Sequence, residues 1–400
     1  MVSNIDILYI TGLYPPPETA NGIRAYYFVR ELVESGFNTI VVETVSRSDP
    51  SVGGFFGEKV IRMRLRSYST FNRIYDFLYK LMFVRRTLKK LYSKKKPTAI
   101  IASWPSHEAI LLGGYLSNEL KVPLIVDIQD LSDYYSEMTG KPRAAMFSPI
   151  YRRIYEVIRR ADVIITVTEP FEYILEKRVG RNDIHVIYNG VDMELYSKLF
   201  REQISDHKFS EYPVGVFVGD LSWGYHSLDR IITALALIKK RIGAQGTRII
   251  IIGTGRLEKM YRDLASRLSV SDMLSFEGYL ERKELIKALT SADYGVIGRP
   301  SINNLWNIAS VRTTLYEYMA AGLPIFAFGP KYSYIRTLLN INSCGYYVPS
   351  DHPLNIAKGL AKFIRTIDSF DRQLIHQRTY KYSWSRLSKR FVTIIKNLIM

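Results

Sequence analysis

Short runs of β-branched and aromatic residues alternate along this chain with longer stretches whose apolar positions recur every three or four residues. Residues 5–11 predict a buried strand, 20–35 an amphipathic helix and 38–43 a second strand. That order is the grammar of a parallel sheet covered by helices. It continues through a strand at 99–103, a helix from 106 to about 120, a strand at 124–127, a helix ending near Ala161, and strands at 163–167 and 184–188. These elements make one doubly wound α/β domain, taken as residues 1–195. A linker follows at 196–212, polar from 201 onward, and the pattern restarts. Strands at 214–218 and 248–252, helices at 228–240 and 257–268, and further units up to the strands at 325–328 and 346–348 predict a second doubly wound domain, 213–380. Residues 381–400 predict a C-terminal helix that returns to the first domain. Open parallel sheets bind ligands beyond the carboxyl ends of their strands, at glycine turns leading into helices. Two such domains are expected to face a cleft.

Charge adds a feature that the pattern alone does not show. The 400 residues are 47% hydrophobic and 23% charged, a globular composition with a net charge of +17. Much of the excess is local: residues 58–96 hold thirteen lysines and arginines against Glu58 and Asp76. Apolar residues at helical spacing from Phe71 to Leu91 run through that stretch, so it reads as a basic amphipathic helix. Such a helix either lies on an anionic membrane surface or forms a core helix with a solvated basic rim. No helix-turn-helix, zinc-finger or RNP signature accompanies the charge, so nucleic acid is not the expected partner. No apolar run approaches the roughly 18–20 residues of a membrane-spanning helix. Met1-Val2-Ser3-Asn4, ahead of the first strand, carries no basic leader, so we expect a cytoplasmic protein attached peripherally to the inner face of the membrane. Cys344, the single cysteine, leaves no intrachain disulfide and no cysteine-built zinc cage.

The candidate chemistry sits at strand-to-helix turns. Gly22 ends a long loop ahead of the first helix, where it is either a phosphate or sugar contact or a structural loop glycine. In the second half, Gly219, Gly253 and Gly255 each follow a strand, and two such turns suggest a nucleotide diphosphate site. Arg312-Thr313-Thr314-Leu315-Tyr316-Glu317 opens a short helix with hydroxyl residues. Its N–H groups at Thr313, Thr314 and Leu315 suit a diphosphate, unless the threonines are ordinary caps. Glu317, one turn in, suits the two hydroxyls of a ribose, the other reading being a surface residue. Asp130 follows a strand end and either orients or deprotonates an acceptor hydroxyl or caps the next turn. His107 follows another strand and is either a substrate contact or a packed side chain. Neither G-x-G-x-x-G after the first strand nor a P-loop is present, and no Ser/His/Asp pattern, H-E-x-x-H or Cys/His cluster supports hydrolytic or zinc chemistry.

Tyr316-Glu317-Tyr318-Met319-Ala320-Ala321-Gly322-Leu323-Pro324, with Tyr188-Asn189-Gly190-Val191-Asp192 and Ala161-Asp162-Val163-Ile164-Ile165-Thr166-Val167-Thr168 upstream, resembles glycosyltransferase family 4 in order and spacing over nearly the whole chain. Tyr14-Pro15-Pro16 with Gly22-Ile23-Arg24, Asp127-Ile128-Gln129-Asp130-Leu131, Phe276-Glu277-Gly278-Tyr279 and Trp384 fall at comparable places. The resemblance implies the GT-B fold and retaining, metal-independent transfer of a sugar from a nucleotide-diphosphate donor, a UDP-sugar ahead of a GDP-sugar, with no other cofactor. It implies a subgroup acting on lipid-linked or cell-surface glycan precursors. Glu317 would hold the ribose, Thr313–Leu315 and the Gly22 loop the diphosphate, and the backbone near Tyr279 and Leu280 the base. The first domain, including Arg24 and His107, would take the acceptor. Three positions depart from the family pattern. Ala309 stands where a donor-sugar glutamate is usual, and Asp220 and Tyr225 stand where an arginine and a lysine usually meet the departing diphosphate. Fixed cations must meet that charge, and Arg256, Arg299 and Arg312 are the candidate substitutes, with Arg299 and Arg312 preferred over a reading as surface arginines. A nucleotide-sugar 2-epimerase shares the architecture, and a catalytically silent relative that binds an active transferase is the reading of another class.

Overall fold

A computed structural model describes residues 6–15, 20–46, 54–64, 82, 96–131, 143–204, 209, 212–242, 246–302 and 304–399. The chain forms two compact units, residues 1–189 with 384–400, and residues 190–383. In the first unit, strands β1 (Asp6–Thr11), β2 (Asn38–Ser46), β3 (Lys59–Arg64), β4 (Ala99–Trp104), β5 (Leu124–Ile128), β6 (Val163–Thr166) and β7 (Ile184–Val186) alternate with helices α1 (Ala20–Glu34), α2 (His107–Leu120), α3 (Arg143–Arg160) and α4 (Glu169–Val179). The sheet is parallel throughout, in the order β3-β2-β1-β4-β5-β6-β7. β4 and β5 are buried at every position, which is why they read as continuous apolar runs.

The sequence reading places the first residues of the basic stretch with a helix, and the structure makes them strand β3. The reason is electrostatic: Arg62 donates to Glu43 on β2, and both side chains are closed off from solvent. The charge is neutralised inside the sheet edge rather than presented to solvent. The helix expected between Phe71 and Leu91 lies outside the described residues, apart from Met82.

The second unit contains α5 (Met193–Ile204), β8 (Val214–Val218), α6 (Leu228–Leu237), β9 (Arg248–Ile252), α7 (Glu258–Arg267), β10 (Leu274–Gly278), α8 (Arg282–Ser291), β11 (Tyr294–Gly298), α9 (Leu305–Ala309), α10 (Thr313–Ala320), β12 (Ile325–Phe328), α11 (Tyr334–Asn342), β13 (Gly345–Val348), α12 (Pro353–Arg365) and α13 (Arg372–Thr379). Its parallel sheet runs β10-β9-β8-β11-β12-β13. Leu228, Ile231, Ile232 and Leu235 of α6 pack with Ile356, Leu360 and Phe363 of α12 over that sheet. Residues 193–204, counted with the first domain and the linker in the sequence reading, form α5, which packs on α8 and α10.

The last helix, α14 (Trp384–Ile399), joins the core of the first unit through Trp384, Leu387, Phe391 and Ile395. Phe391 stacks on Phe28 at 3.9 Å between ring centroids, and Trp384 stacks on Tyr27 at 5.1 Å. Among the described residues no helix is long and apolar enough to cross a membrane.

Candidate active site

The second sheet reverses direction at β8. β9 and β10 are added on one side of it and β11 to β13 on the other, so β8 and β11 flank the point at which doubly wound sheets open a ligand crevice. The two strands pair only at Tyr294 with Gly215 and Gly295 with Val216, and then part. Their parting leaves backbone groups to be satisfied by other means. Tyr318 of α10 inserts its hydroxyl into the fork: it accepts from the Val218 N–H at 2.9 Å and donates to the Val296 carbonyl at 3.4 Å. Burial pushes that phenol up to about 12, so it stays a donor at working pH.

Arg312, the residue that caps α10, fills the space beside Tyr318. Its Nη2 donates to the Val218 carbonyl and lies 2.5 Å from the point where a Cβ on Gly219 would stand, so the glycine makes room for the guanidinium. Its Nη1 is buried without a hydrogen-bond partner, and burial holds its pKa below the ordinary arginine value. The preferred substitute cation is therefore at the fork. Arg299, the first residue after β11, is buried too, with its guanidinium 4.5 Å from the Trp306 ring centroid and 5.5 Å from that of Tyr225. Both arginines belong to the interior at the strand ends, and the surface reading does not hold.

His226 was not singled out by the sequence, because a histidine in a loop has no spacing signal. It lies in the loop after β8, 4% exposed, with Nδ1 and Nε2 both buried and the Asp220 backbone beside the ring. Burial first, and then the charges of Arg312 and Arg299, hold its imidazole far below the ordinary histidine range, hence neutral. The hydroxyl of Thr314, in the first turn of α10, is another buried oxygen without a partner. Leu315 differs from expectation: its N–H donates to the Arg312 carbonyl at 3.0 Å, leaving Thr313 and Thr314 as the open end of a helix that has no side-chain cap.

Glu317 is held one turn further along α10, half-buried. It accepts from Arg282 of α8 at 3.1 Å and from the hydroxyl of Tyr196 on α5. Tyr196 is fully buried, and burial together with the Glu317 charge pushes its phenol well above the ordinary value. The helix that sequence reading treated as linker thus supplies the side chain that orients Glu317. Ala309, at the end of α9, is 1% exposed, and Asp220 spends its carboxylate on the Ser222 N–H at 2.8 Å.

The glycines after β9 have a reason of their own. Gly253 is at φ +133°, and a Cβ there would stand 2.0 Å from the Gly219 carbonyl oxygen, while one on Gly255 would stand 2.2 Å from the backbone of Leu221 and Ser222. Two loops pack backbone to backbone, tied by Gly219 N–H to the Ile252 carbonyl and Leu221 N–H to the Thr254 carbonyl. The packing of the two loops by itself requires glycine at both positions. Arg256 is exposed, and its Nε donates to the Ser222 carbonyl at 3.1 Å, which ties it to the same wall. Tyr279 is 64% exposed just beyond β10, with Leu280 half-buried beside it.

In the first unit, one expectation is corrected. Arg24, expected to meet the acceptor, is wholly buried in α1 and makes a two-point ion pair with Asp127 of β5 at 2.8–3.2 Å. Its Nη1 donates to the carbonyls of Ile187 and Tyr188, so the guanidinium is consumed in joining α1, β5 and the segment after β7. Gly22 lies in the first turn of α1 rather than in the loop before it, and is buried. Asp130 is half-buried and accepts from the Leu131 N–H at 2.8 Å. His107 opens α2, half-buried between the rings of Trp104 and Tyr151. Among the described residues no three His, Cys, Asp or Glu side chains are grouped as a metal site requires.

Comparison with known proteins agrees with this layout. Residues 22–195 match the family described as Glycosyltransferase Family 4, and residues 200–377 match the one described as Glycosyl transferases group 1. An uncharacterized glycosyltransferase of Methanocaldococcus jannaschii is 20% identical over 250 residues, covering 61% of this chain and 60% of that protein. The putative colanic acid biosynthesis glycosyltransferase WcaL of Escherichia coli K12 is 24% identical over 219 residues, 54% of this chain and 50% of that one. The matched region thus spans between half and three fifths of these relatives. Among solved structures, sucrose-phosphate synthase from Thermosynechococcus elongatus superposes with a TM-score of 0.75 at 14% identity over 99% of both chains. Anabaena HepE in complex with UDP and glucose superposes with a TM-score of 0.67 at 15% identity, over 98% of this chain and 100% of that one. With one family matched by the first half and the other by the second, this chain belongs to the GT-B glycosyltransferases that join a family 4 domain to a group 1 domain.

Proposed function

We propose that the protein transfers a sugar, with retention of anomeric configuration and without an essential metal, from a nucleoside-diphosphate sugar to a lipid-linked or cell-surface glycan precursor. The observation that carries this reading is the fork between β8 and β11, where the Arg312 Nη1 and the Thr314 hydroxyl are buried without protein partners, next to the buried Arg299. Buried polar groups in native proteins are almost always satisfied, and such groups at a sheet's switch point, beside two guanidiniums, suit a polyanion. Arg312 and Arg299 stand in for the cations that Asp220 and Tyr225 replace. Both are fixed in a low-dielectric setting, where positive charge stabilises a departing diphosphate most effectively.

Glu317 supports the nucleoside half of the donor. A carboxylate offers about four lone-pair directions, of which Arg282 and Tyr196 take some, and the rest accept from the two hydroxyls of a ribose. A uridine nucleotide is favoured because HepE, of the same fold, is solved with UDP and glucose. A cell-surface glycan acceptor is favoured because WcaL is named for colanic acid biosynthesis. The acceptor belongs to the first unit in this reading, with Asp130 and His107 as candidates. The basic stretch at 58–96 brings the enzyme to the anionic surface where a lipid-linked acceptor resides.

The test is nucleotide release from a panel of UDP-, GDP- and other nucleotide sugars, with native membrane lipid extract as acceptor, for the wild type and Glu317→Ala. The reading expects acceptor-dependent release with one donor, lowered at least about tenfold in the variant, the usual scale for losing a charge-assisted hydrogen bond to substrate. Saturable nucleotide binding without release from any donor would overturn it in favour of a binding protein.

A further inference from the structure

In the first unit a cavity of about 700 Å³ opens between α2 and α3. Leu111, Gly114 and Asn118 of α2 line one side of it, at spacings of three and four, and Arg153, Val157 and Arg160 of α3 the other. The two helices meet where a Cβ on Gly114 would stand 2.5 Å from Val157. Leu124, which opens β5, and Asp162, which precedes β6, also line the space. It therefore lies at the end where the strands begin, opposite the carboxyl ends at which open parallel sheets bind substrate.

The turn from α2 into β5 is built to hold this lining. Lys121 takes the left-handed conformation at φ 55°, its N–H donates to the Ser117 carbonyl, and the Ser117 hydroxyl donates to the Val122 carbonyl at 2.7 Å. Val122 and Pro123 are fixed half-buried at the helix end, with the Pro123 carbonyl accepting from the Ile100 N–H of β4 at 2.9 Å.

Charge is distributed unevenly around the cavity. Lys121, Arg153 and Arg160 are exposed residues of its lining, against one lining carboxylate, Asp162, which accepts from the Leu124 N–H at 2.8 Å. Lys121 donates to Asn118 at 3.3 Å, and Glu156 takes a bond from Arg153 Nη1 at 2.7 Å, which uses one of five guanidinium donors. Leu111, Val122, Pro123 and Val157 bring only hydrocarbon to the same space. A volume of this size is that of a small-molecule site, roughly 300–1,000 Å³. An inorganic anion would leave the apolar lining unused, and a neutral hydrocarbon would leave the cations unused. Two guanidiniums seven positions apart on one helix suit the oxygens of a phosphate.

We propose that the groove between α2 and α3 is a second binding site, which takes an organic phosphate with an apolar body. The phosphate lies against Arg153, Arg160 and Lys121, and the body against Leu111, Val122, Pro123 and Val157. A phospholipid and a soluble phosphate ester both carry that chemistry. No residue of the groove belongs to the donor site, so the proposal does not depend on the nucleotide-sugar reading.

The experiment is calorimetric titration of the full chain with dihexanoyl phosphatidylglycerol kept monomeric, hexyl phosphate, hexanol and inorganic phosphate, with melting temperatures recorded for each protein. Arg153→Gln combined with Arg160→Gln removes the two groove arginines. Arg152→Gln combined with Arg159→Gln removes the same charge from exposed positions of α3 outside the lining. The expected result is that phosphatidylglycerol or hexyl phosphate binds at least about tenfold more tightly than inorganic phosphate or hexanol, and that the groove variant loses at least about tenfold while the control stays within about twofold. Hexyl phosphate as tight as phosphatidylglycerol assigns the site to a soluble ester, and phosphatidylglycerol alone assigns it to a lipid. Absence of saturable binding by either, inorganic phosphate or hexanol as tight as the tightest of them, or equal losses in the two double variants would overturn the proposal.

Discussion

At the residue scale, the site is built by side chains that do work a β-sheet would otherwise do. Where β8 and β11 part, Tyr318 takes over two backbone bonds and Arg312 a third, and the Arg312 Nη1 and the Thr314 hydroxyl are left buried without protein partners. The wall opposite depends on Gly253. Alanine there would put a methyl 2.0 Å from the Gly219 carbonyl at a φ of +133°, so we predict that Gly253→Ala loses about 2–4 kcal/mol of stability, measured by urea unfolding. A loss under about 0.5 kcal/mol would show that the two loops are free to separate. Much of this was legible. Arg312, Thr313 and Glu317 stand at a strand-to-helix junction, and the structure sets the Arg312 guanidinium beside Gly219. The setting of His226 was not legible, since the two arginines that act on it lie 73 and 86 positions away in sequence and only the fold brings them to it. Arg24 was misread for the mirror reason: its partner Asp127 lies on β5, 103 positions away, and nothing in the local sequence marks the pair.

At the element scale, hydrophobic runs defined the strands because a parallel sheet buries both faces, as β4, β5 and β6 show at every position. Charge hid the exceptions. β3 looks like the start of a basic helix until Glu43 is seen beside Arg62, and α5 looks like linker until Tyr196 and Phe200 are found buried among their neighbours. The Arg24–Asp127 pair shows what holds α1 in place. Removing one partner of a buried pair leaves the other charge stranded at a cost of about 3–5 kcal/mol, so Arg24→Met is expected to unfold the first unit at markedly lower denaturant. Arg24→Met combined with Asp127→Leu should recover part of that loss, and a double variant no better than the single one would show that the carbonyl bonds of Arg24, not its charge, carry the contribution.

At the scale of the whole molecule, two doubly wound units of similar size share one chain, and α14 closes the core of the first unit with the last residues of the sequence. The parallel-sheet pattern made both units readable. The destination of α14 is carried by the Trp384, Leu387, Phe391 and Ile395 stripe, whose partners on α1 are over 350 residues away. The cations at 58–96 other than the paired Arg62 make a prediction of their own: the protein should float with anionic vesicles and not with neutral ones, and replacing Lys89, Lys90, Lys94, Lys95 and Lys96 with glutamine should abolish flotation. Flotation unchanged in that variant would place membrane attachment elsewhere. The central claim is that the donor nucleotide binds at the fork of the second sheet. Hydrogen–deuterium exchange with and without UDP, and in parallel GDP, tests it most directly. The account predicts protection confined chiefly to peptides covering residues 217–227 and 311–318 with whichever nucleotide binds, lost in Glu317→Ala at the same concentration. Saturable binding that protects other segments and leaves these two unchanged would contradict it.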